Sequence, residues 1–556
     1  MAFKVGVGEA DFAALRRENA YYVDKSEIIY ELVNDVNNKV TLFTRPRRFG
    51  KTLTLSMLEN FFSIRKDSGV LFEGLDIARH TEFCREWMNK YPVLFISFKD
   101  VEAEDYDSAY RMLETKLADL CKELAPVFKG AAVDGDDRQI FLSLKAKKAE
   151  EDDVKNSLKT LMRMLSAVYK RQTVLLIDEY DVPLAKAGEK GGADNKYYSG
   201  MHDIVRGIMS TALKDNEFLK FAVITGCLRI AKESIFTGAN NFASYSVLDD
   251  RFSGYFGFSE AEVEKLLEAA DRSEAAETVK DWYDGYLFGD SSVYCPWDVI
   301  NYVSAISYKS NAKPRNYWKN TSHNAILLSF VKRSDFNVKG KFEILMNGGT
   351  VLQTVTDELA YDSLYSSEDN LWSVLLMTGY LTKANADDWD AVALRIPNRE
   401  ISSIFEDTVV RLFKETLDTS KQKSAAEAFF SGDAAEAGKI ISELLWKTIS
   451  YNDYHENYYH AFLAGIFAGI GCAVESNKEK GLGRPDILLK DEDNRRAVII
   501  EAKRAAAEAD MDKECGEALR QIVSKKYADG LDGYEQVLCY GVAFFRKQAK
   551  VKLLGR

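Results

Sequence analysis

The chain has only seven cysteines in 556 residues (Cys84, Cys121, Cys227, Cys295, Cys472, Cys515, Cys539), and no two stand in a C-x-x-C spacing. That scatter argues against a disulfide framework and against a thiolate zinc site, and a reducing cytoplasm is the expected compartment. Long apolar runs are missing too. The longest, Ala461 to Val474, is 14 residues, against the roughly 20 that a bilayer span requires. Met1 to Asp11 has no basic patch followed by an apolar core, so neither export nor a membrane partner is expected. Positive charge is in deficit: 74 Lys and Arg against 86 Asp and Glu leave a net charge of −12, which does not favour phosphate contact. The deficit is uneven, since Lys480 to Arg556 holds 16 Lys/Arg against 13 Asp/Glu. Histidine is scarce, with five in all. What remains is an ordinary folded composition, 46% hydrophobic and 29% charged, in a chain long enough for two or three domains.

The first chemistry-bearing feature is a strand, loop and helix. Lys39 to Thr44 is β-prone, Leu53 to Phe62 has helical apolar periodicity, and Arg45-Pro46-Arg47-Arg48-Phe49-Gly50-Lys51-Thr52 lies between them. A bound phosphate needs curled backbone N–H groups, a helix N-terminus, a Lys for the terminal phosphates and a hydroxyl for magnesium. Residues Arg47, Arg48, Phe49, Gly50, Lys51, Thr52 and Leu53 are therefore expected to hold a nucleotide, although Arg45 stands where the usual motif begins with Gly. A second feature supports the first. Thr173 to Ile177 is a continuous apolar run suited to a strand buried on both faces, and it ends in Asp178-Glu179. Asp178 is expected to hold magnesium together with Thr52, and Glu179 to activate water. Val93 to Phe98 and Phe221 to Thr225 read as further parallel strands between helices such as Asp107 to Leu124 and Met201 to Leu213. Thr225 then either senses the terminal phosphate or caps a turn, and Arg47, Arg48 or Arg229 could neutralise charge in the transition state.

These residues resemble the bacterial AAA-ATPase-like family. The likeness runs through Tyr22-Val23-Asp24-Lys25, Arg45 to Thr52, Asp178-Glu179-Tyr180-Asp181-Val182-Pro183, Thr225-Gly226-Cys227-Leu228-Arg229, Asn240-Asn241, Trp282-Tyr283-Asp284-Gly285-Tyr286 and Tyr294-Cys295-Pro296-Trp297. In that family Arg in place of the first loop Gly is usual. The resemblance covers roughly Met1 to Trp318 and implies an ATP-binding P-loop NTPase with a parallel sheet and helices on both faces, its P-loop domain expected over residues 1–260. It also leaves room for a homo-oligomer that supplies an arginine in trans. No tandem helicase motifs or repeats accompany it, which ranks a processive motor last.

Residues 261–435 read as a mostly helical middle region. Ala261 to Ala270 and Glu274 to Asp284 are helical, and Leu371 to Tyr380, Ala391 to Ile396 and Glu400 to Phe413 read as helix, strand, helix. That order fits a plain connector or a winged-helix-like module. Ala425 to Ala437, with Gly432, suggests a helical hinge before a last domain over residues 436–556.

In that last domain the order is helix (Glu456 to Ile470), three strands (Cys472 to Asn477, Pro485 to Lys490, Ala497 to Ala502), helix (Asp512 to Tyr527) and strand (Gln536 to Phe545). Alternation along a strand puts Glu501 and Lys503 on one face, and pairing of neighbouring strands can bring Asp486 beside them. Two carboxylates and an ammonium can hold magnesium or manganese and act on a phosphodiester. An exposed, charge-paired Glu-x-Lys face is the structural alternative. Glu456 and His460, four apart on a helix, could add a metal ligand. These positions resemble the PD-(D/E)xK nuclease superfamily, whose domain is commonly fused to the family above. The resemblance implies a restriction-endonuclease-like α/β fold, Asp486 and Glu501 as metal ligands, Lys503 as the catalytic lysine, and Gln521 and Tyr527 as supporting residues. The resulting expectation is an ATP-binding and hydrolysing protein that cuts DNA or RNA with magnesium or manganese; the alternative is a nucleotide-driven switch with a non-catalytic nuclease fold.

Overall fold

The computed structural model describes residues 3–34, 38–189, 196–230, 235–236, 241–318, 338–359, 364, 367–384, 391–416, 419–448, 456–467, 473–476 and 485–555. They form two compact units, Met1–Tyr317 with Leu352–Arg399, and Trp318–Val351 with Glu400–Arg556.

The first unit is built on a sheet of five parallel strands: Val40–Thr44 (β1), Val93–Ser97 (β2), Thr173–Asp178 (β3), Leu219–Gly226 (β4) and Phe242–Tyr245 (β6), in the order β2-β3-β4-β1-β6. A two-residue strand, Arg229–Ile230 (β5), follows β4. Every residue of β1 and β3 is buried, as expected of central strands; β3 is a nearly unbroken apolar run, while β1 also buries Thr41 and Thr44. Lys51–Phe62 (α1) follows β1, Tyr106–Phe128 (α2) and Glu151–Tyr169 (α3) lie between β2 and β3, and Lys196–Leu213 (α4) joins β3 to β4. The path runs from β1 to β2 in one direction and from β2 through β3 to β4 in the other. Right-handed crossovers therefore put α1 on one face and the later helices on the other. The crevice at the C-terminal ends of β1 and β4, where the connections part, is where such sheets bind ligands.

A helical group follows: Glu260–Ala269 (α5), Ala276–Tyr283 (α6) and Pro296–Tyr308 (α7), packed around Val263, Leu266, Val279, Tyr283, Val299 and Val303. Ser259 and Glu262 form a capping box at the start of α5, and Pro296 opens α7, where its missing N–H costs nothing. The returning stretch carries Glu358–Leu359 (β7), Glu368–Met377 (α8) and the antiparallel pair Thr382–Lys383 (β8) and Val392–Arg395 (β9). It docks through Arg395 and Asn398, which donate to the carbonyls of Gly285 and Asp284. Gly285 is demanded twice: its φ is +105°, and a Cβ there would lie 2.0 Å from the Pro397 carbonyl oxygen.

The second unit takes in Arg399–Thr416 (α9) from Glu400 onward, Thr419–Ser431 (α10), Ala434–Thr448 (α11) and Glu456–Phe467 (α12). Gly432, at φ +89°, separates α10 from α11. A mixed sheet follows: Ala473–Ser476 (β10), Ile487–Asp491 (β11), Arg496–Arg504 (β12), Gln536–Phe545 (β13) and Gln548–Leu553 (β14), hydrogen-bonded in sequence order, with Met511–Ser524 (α13) between β12 and β13. Only β12 and β13, joined by that helix, run parallel. The fold class is thus α/β, with a parallel N-terminal sheet, a largely helical middle and a mixed C-terminal sheet. Among the described residues no helix is long and apolar enough to cross a membrane.

Candidate nucleotide site and candidate nuclease centre

At the C-terminal edge of the first sheet the chain turns from β1 into the loop Arg45 to Gly50 and then into α1. Gly50 caps the helix at φ +85°, so glycine there answers to backbone conformation and not to crowding. Lys51 is buried and donates to the carbonyls of Arg45 and Pro46, both at 2.9 Å. The register Phe43↔Thr225 and Ile177↔Ile224 puts the end of β4 between the loop and Asp178. There the fully buried Asp178 carboxylate accepts from both hydroxyls, Thr52 Oγ1 at 2.8 Å and Thr225 Oγ1 at 2.5 Å. Next to it Glu179 is held above the ordinary carboxylate range, first by burial and then by Asp178, against Lys51 and Arg47.

The loop arginines part ways. Burial works against the charge of Arg47, but Cys227, Glu179 and Asp181 outweigh it, so its guanidinium holds its proton more firmly than usual. Arg48, at φ +73°, stacks on Trp297 with 5.0 Å to the ring centroid and donates to the Tyr317 carbonyl at 2.6 Å. Arg45 is fully buried over the rings of Phe256 and Phe288, where burial lowers its pKa to about 9. Phe49 packs between Tyr286 and Phe288, with centroids 5.0 and 4.9 Å away. Arg229 pairs with Asp357 at 3.1 Å and Glu358 at 3.0 Å.

In the second unit the antiparallel register Ile487↔Ile500 places Asp486 opposite Glu501 at the mouth of β11 and β12. Asp486 Oδ2 accepts from the Ala502 N–H at 2.8 Å, and the Asp486 N–H points at Glu501 Oε2 at 3.4 Å. Glu501 is 1% exposed, an expensive place for a carboxylate unless it is partnered. Its partners are Lys503, with Nζ 3.6 Å from Oε1, and Gln521 from α13, whose amide donates to the same oxygen and to the Tyr527 hydroxyl. His460 on α12 bonds through Nε2 to the main-chain carbonyl of Asp486 at 2.8 Å, so it braces the strand entrance. The side chain of Glu456 lies outside the described residues. Among the described residues no group of three or more His, Cys, Asp or Glu converges on one point. The donors on hand are hard oxygens, two carboxylates here and a carboxylate with a hydroxyl at Asp178 and Thr52, the kind that magnesium accepts when water and phosphate complete its shell.

Residues 6–236 match the family model described as "Predicted AAA-ATPase", and residues 454–553 match that of the "PD-(D/E)XK nuclease superfamily". The chain thus carries a match to an AAA-ATPase-like model toward its N-terminal end and a match to a PD-(D/E)XK superfamily model toward its C-terminal end. An uncharacterized protein from the vnfD 5' region of Azotobacter chroococcum mcd 1 is 25% identical over 570 residues, covering 99% of this chain and 98% of its own length.

In the first unit, Arg47, Lys51, Thr52, Asp178, Glu179 and Thr225 gather at one sheet edge, while the side chains of Arg48 and Phe49 are engaged by Trp297, Tyr317, Tyr286 and Phe288. Leu53 is half-buried in the first turn of α1. Asp181 is a site residue that the sequence reading left without a role: its Oδ2 accepts from the N–H groups of Cys227 and Leu228 at 3.0 and 2.9 Å. Cys227 is another, with its sulfur 3.9 Å from Lys51 Nζ and its thiol pushed up by burial. The signal for Asp181 was its place three residues after Asp178 in a strand-to-helix turn, where Asp readily bonds backbone N–H groups. In the second unit, Asp486, Glu501, Lys503, Gln521, Tyr527 and His460 all belong to one connected set.

Proposed function

We propose that this protein binds and hydrolyses ATP and cuts DNA or RNA under nucleotide control, with residues 1–260 carrying the nucleotide chemistry, 436–556 the nuclease chemistry and 261–435 joining them. The observation that carries the proposal is the second-unit cluster: a buried Glu501 held by Lys503 and Gln521 and facing Asp486 across paired strands. An exposed, charge-paired Glu-x-Lys face would not bury its carboxylate.

At the nucleotide site, Lys51 exchanges its two loop carbonyls for the terminal phosphates, Arg47 offers positive charge beside Glu179, and Glu179 takes the proton of the attacking water. Thr52 and Asp178 would hold magnesium there. At the nuclease site, Asp486 and Glu501 would hold magnesium or manganese, which when bound acidifies water and neutralises phosphodiester charge. Lys503 orients the nucleophile or meets the developing negative charge, and Gln521 and Tyr527 keep Glu501 in place. The substrate is nucleic acid, the setting cytoplasmic, and assembly into a homo-oligomer is part of the proposal. A second reading, a nucleotide-driven switch whose nuclease fold only binds, draws on the net charge of −12, which is unfavourable for gripping phosphates.

The test compares cleavage of labelled single- and double-stranded DNA and RNA in magnesium or manganese by wild type, Glu501→Gln and Lys503→Ala. Each substitution is expected to cost roughly 100-fold or more in rate while leaving nucleic-acid binding within a few fold. Binding without cleavage by the wild type supports the switch.

A further inference from the structure

Thr225 is tied into a piece of structure that extends well beyond the nucleotide site. Thr225 donates to Asp178, the same carboxylate that receives the Thr52 hydroxyl. A magnesium–nucleotide complex held by Thr52 and Asp178 would take the place of the Thr52 hydroxyl at Oδ2, and a shift of that carboxylate is felt at Oδ1, to which Thr225 donates. A slack loop after β4 would absorb that shift, but this one has little slack. Asp181 holds the N–H groups of Cys227 and Leu228. The Tyr180 hydroxyl donates to the Leu228 carbonyl at 2.9 Å and accepts from the Ile230 N–H at 3.0 Å. Gly226 lies flat against the Tyr180 ring, where a Cβ would come within 2.6 Å of it.

Beyond this braced stretch β5 pairs in parallel with β7, Arg229↔Glu358 and Ile230↔Leu359. The Arg229 guanidinium, 11% exposed, bridges Asp357 and Glu358. These acids lie just past Leu352, the point where the chain re-enters the first unit after its excursion through Trp318–Val351 of the second. The geometry points to Thr225–Ile230 as the output arm of the nucleotide site, with Arg229 transmitting its position to residues 357–359 and so to the chain segment that joins the units. This inference rests on the ATP-binding reading and names the route of its control. Asp181 and Tyr180 act as positioning residues that keep the arm stiff.

The experiment is hydrogen–deuterium exchange on the full chain, with and without magnesium and a non-hydrolysable ATP analogue. It follows two peptides, one over residues 45–53 and one over residues 352–359, and calorimetry on the same samples gives nucleotide affinity. In wild type both peptides are expected to change exchange rate with nucleotide, the second by roughly tenfold if the coupling matches ordinary allosteric values. In Asp357→Asn with Glu358→Gln, affinity stays within about twofold and the first peptide still responds, while the response of the second falls severalfold. Arg229→Gln checks the bridge from its other side and is expected to give the same loss at the second peptide. Nucleotide response at 45–53 with none at 352–359 in wild type overturns the route and leaves the ATP reading intact, as does an undiminished response in both variants. No binding and no response at 45–53 sinks the ATP reading and the route together.

Discussion

Glu179 sits at φ +51°, in the left-handed region that non-glycine residues rarely occupy, and its carboxyl titrates above the ordinary range because it is buried. Such strain at a proposed water-activating residue is the kind that surrounding structure must hold in place. Its pKa is higher in the folded than in the unfolded chain, so the folded state binds the extra proton. At neutral pH the ionised carboxylate therefore costs stability, and the cost is relieved as pH falls toward the folded pKa. Glu179→Gln is expected to raise the melting temperature of nucleotide-free protein at pH 7, with the gain shrinking in acid, while ATP turnover drops about 100-fold or more. Melting curves across pH check the first expectation; an unchanged or lower melting temperature at pH 7 contradicts it. Wild-type turnover should fall on the acid side through a pKa above that of an ordinary glutamate, because the base works only when deprotonated.

At the scale of elements, α10 and α11 pack against the C-terminal sheet. Phe429 of α10 meets Tyr540 of β13 edge-on at 4.9 Å and accepts a hydrogen bond from its hydroxyl at 2.6 Å. On α11, Ser442 receives the Ala549 N–H of β14 at 2.9 Å, and a Cβ on Gly438 would sit 3.3 Å from the Ala549 carbonyl oxygen. A fragment starting at residue 400 is expected to fold, and one starting at 436 to lose several kcal/mol, on the order of a deleted buried Phe and its neighbours. Urea unfolding of the two fragments checks this, and equal stability contradicts it.

The same elements show what the sequence made legible. β3 and β12 are legible because central strands buried on both faces give apolar runs, β1 because its residues are β-prone, and the helix, strand, helix order at 368–416 survives, with β8 added. β6 and β14 were passed over: Phe-Ala-Ser-Tyr is short and half-buried, and Gln548–Leu553 buries only Val551, so neither shows a strong pattern. Alternation along β12 placed Glu501 and Lys503 together, and the antiparallel register supplied Asp486. The brace from Asp181 to Cys227 and Leu228 was beyond reading, because it depends on how two strand ends meet in space and not on any local period.

For the whole molecule, the chain leaves the first unit after Tyr317, returns at Leu352 and leaves again after Arg399, so three connections link the units, and the second re-enters close in sequence to Asp357, which pairs with Arg229. Under the proposed function, these connections are the route by which the nucleotide site acts on the second unit. Control of cutting by ATP is read from the rate of nucleic-acid cleavage as a function of ATP concentration in wild type and Lys51→Ala, with magnesium fixed. The expected result is a cleavage rate that changes with ATP in wild type, by roughly 5-fold to 150-fold at saturation, and stays flat in Lys51→Ala. Cleavage that is the same at every ATP concentration in wild type, or that responds equally in both proteins, would contradict it.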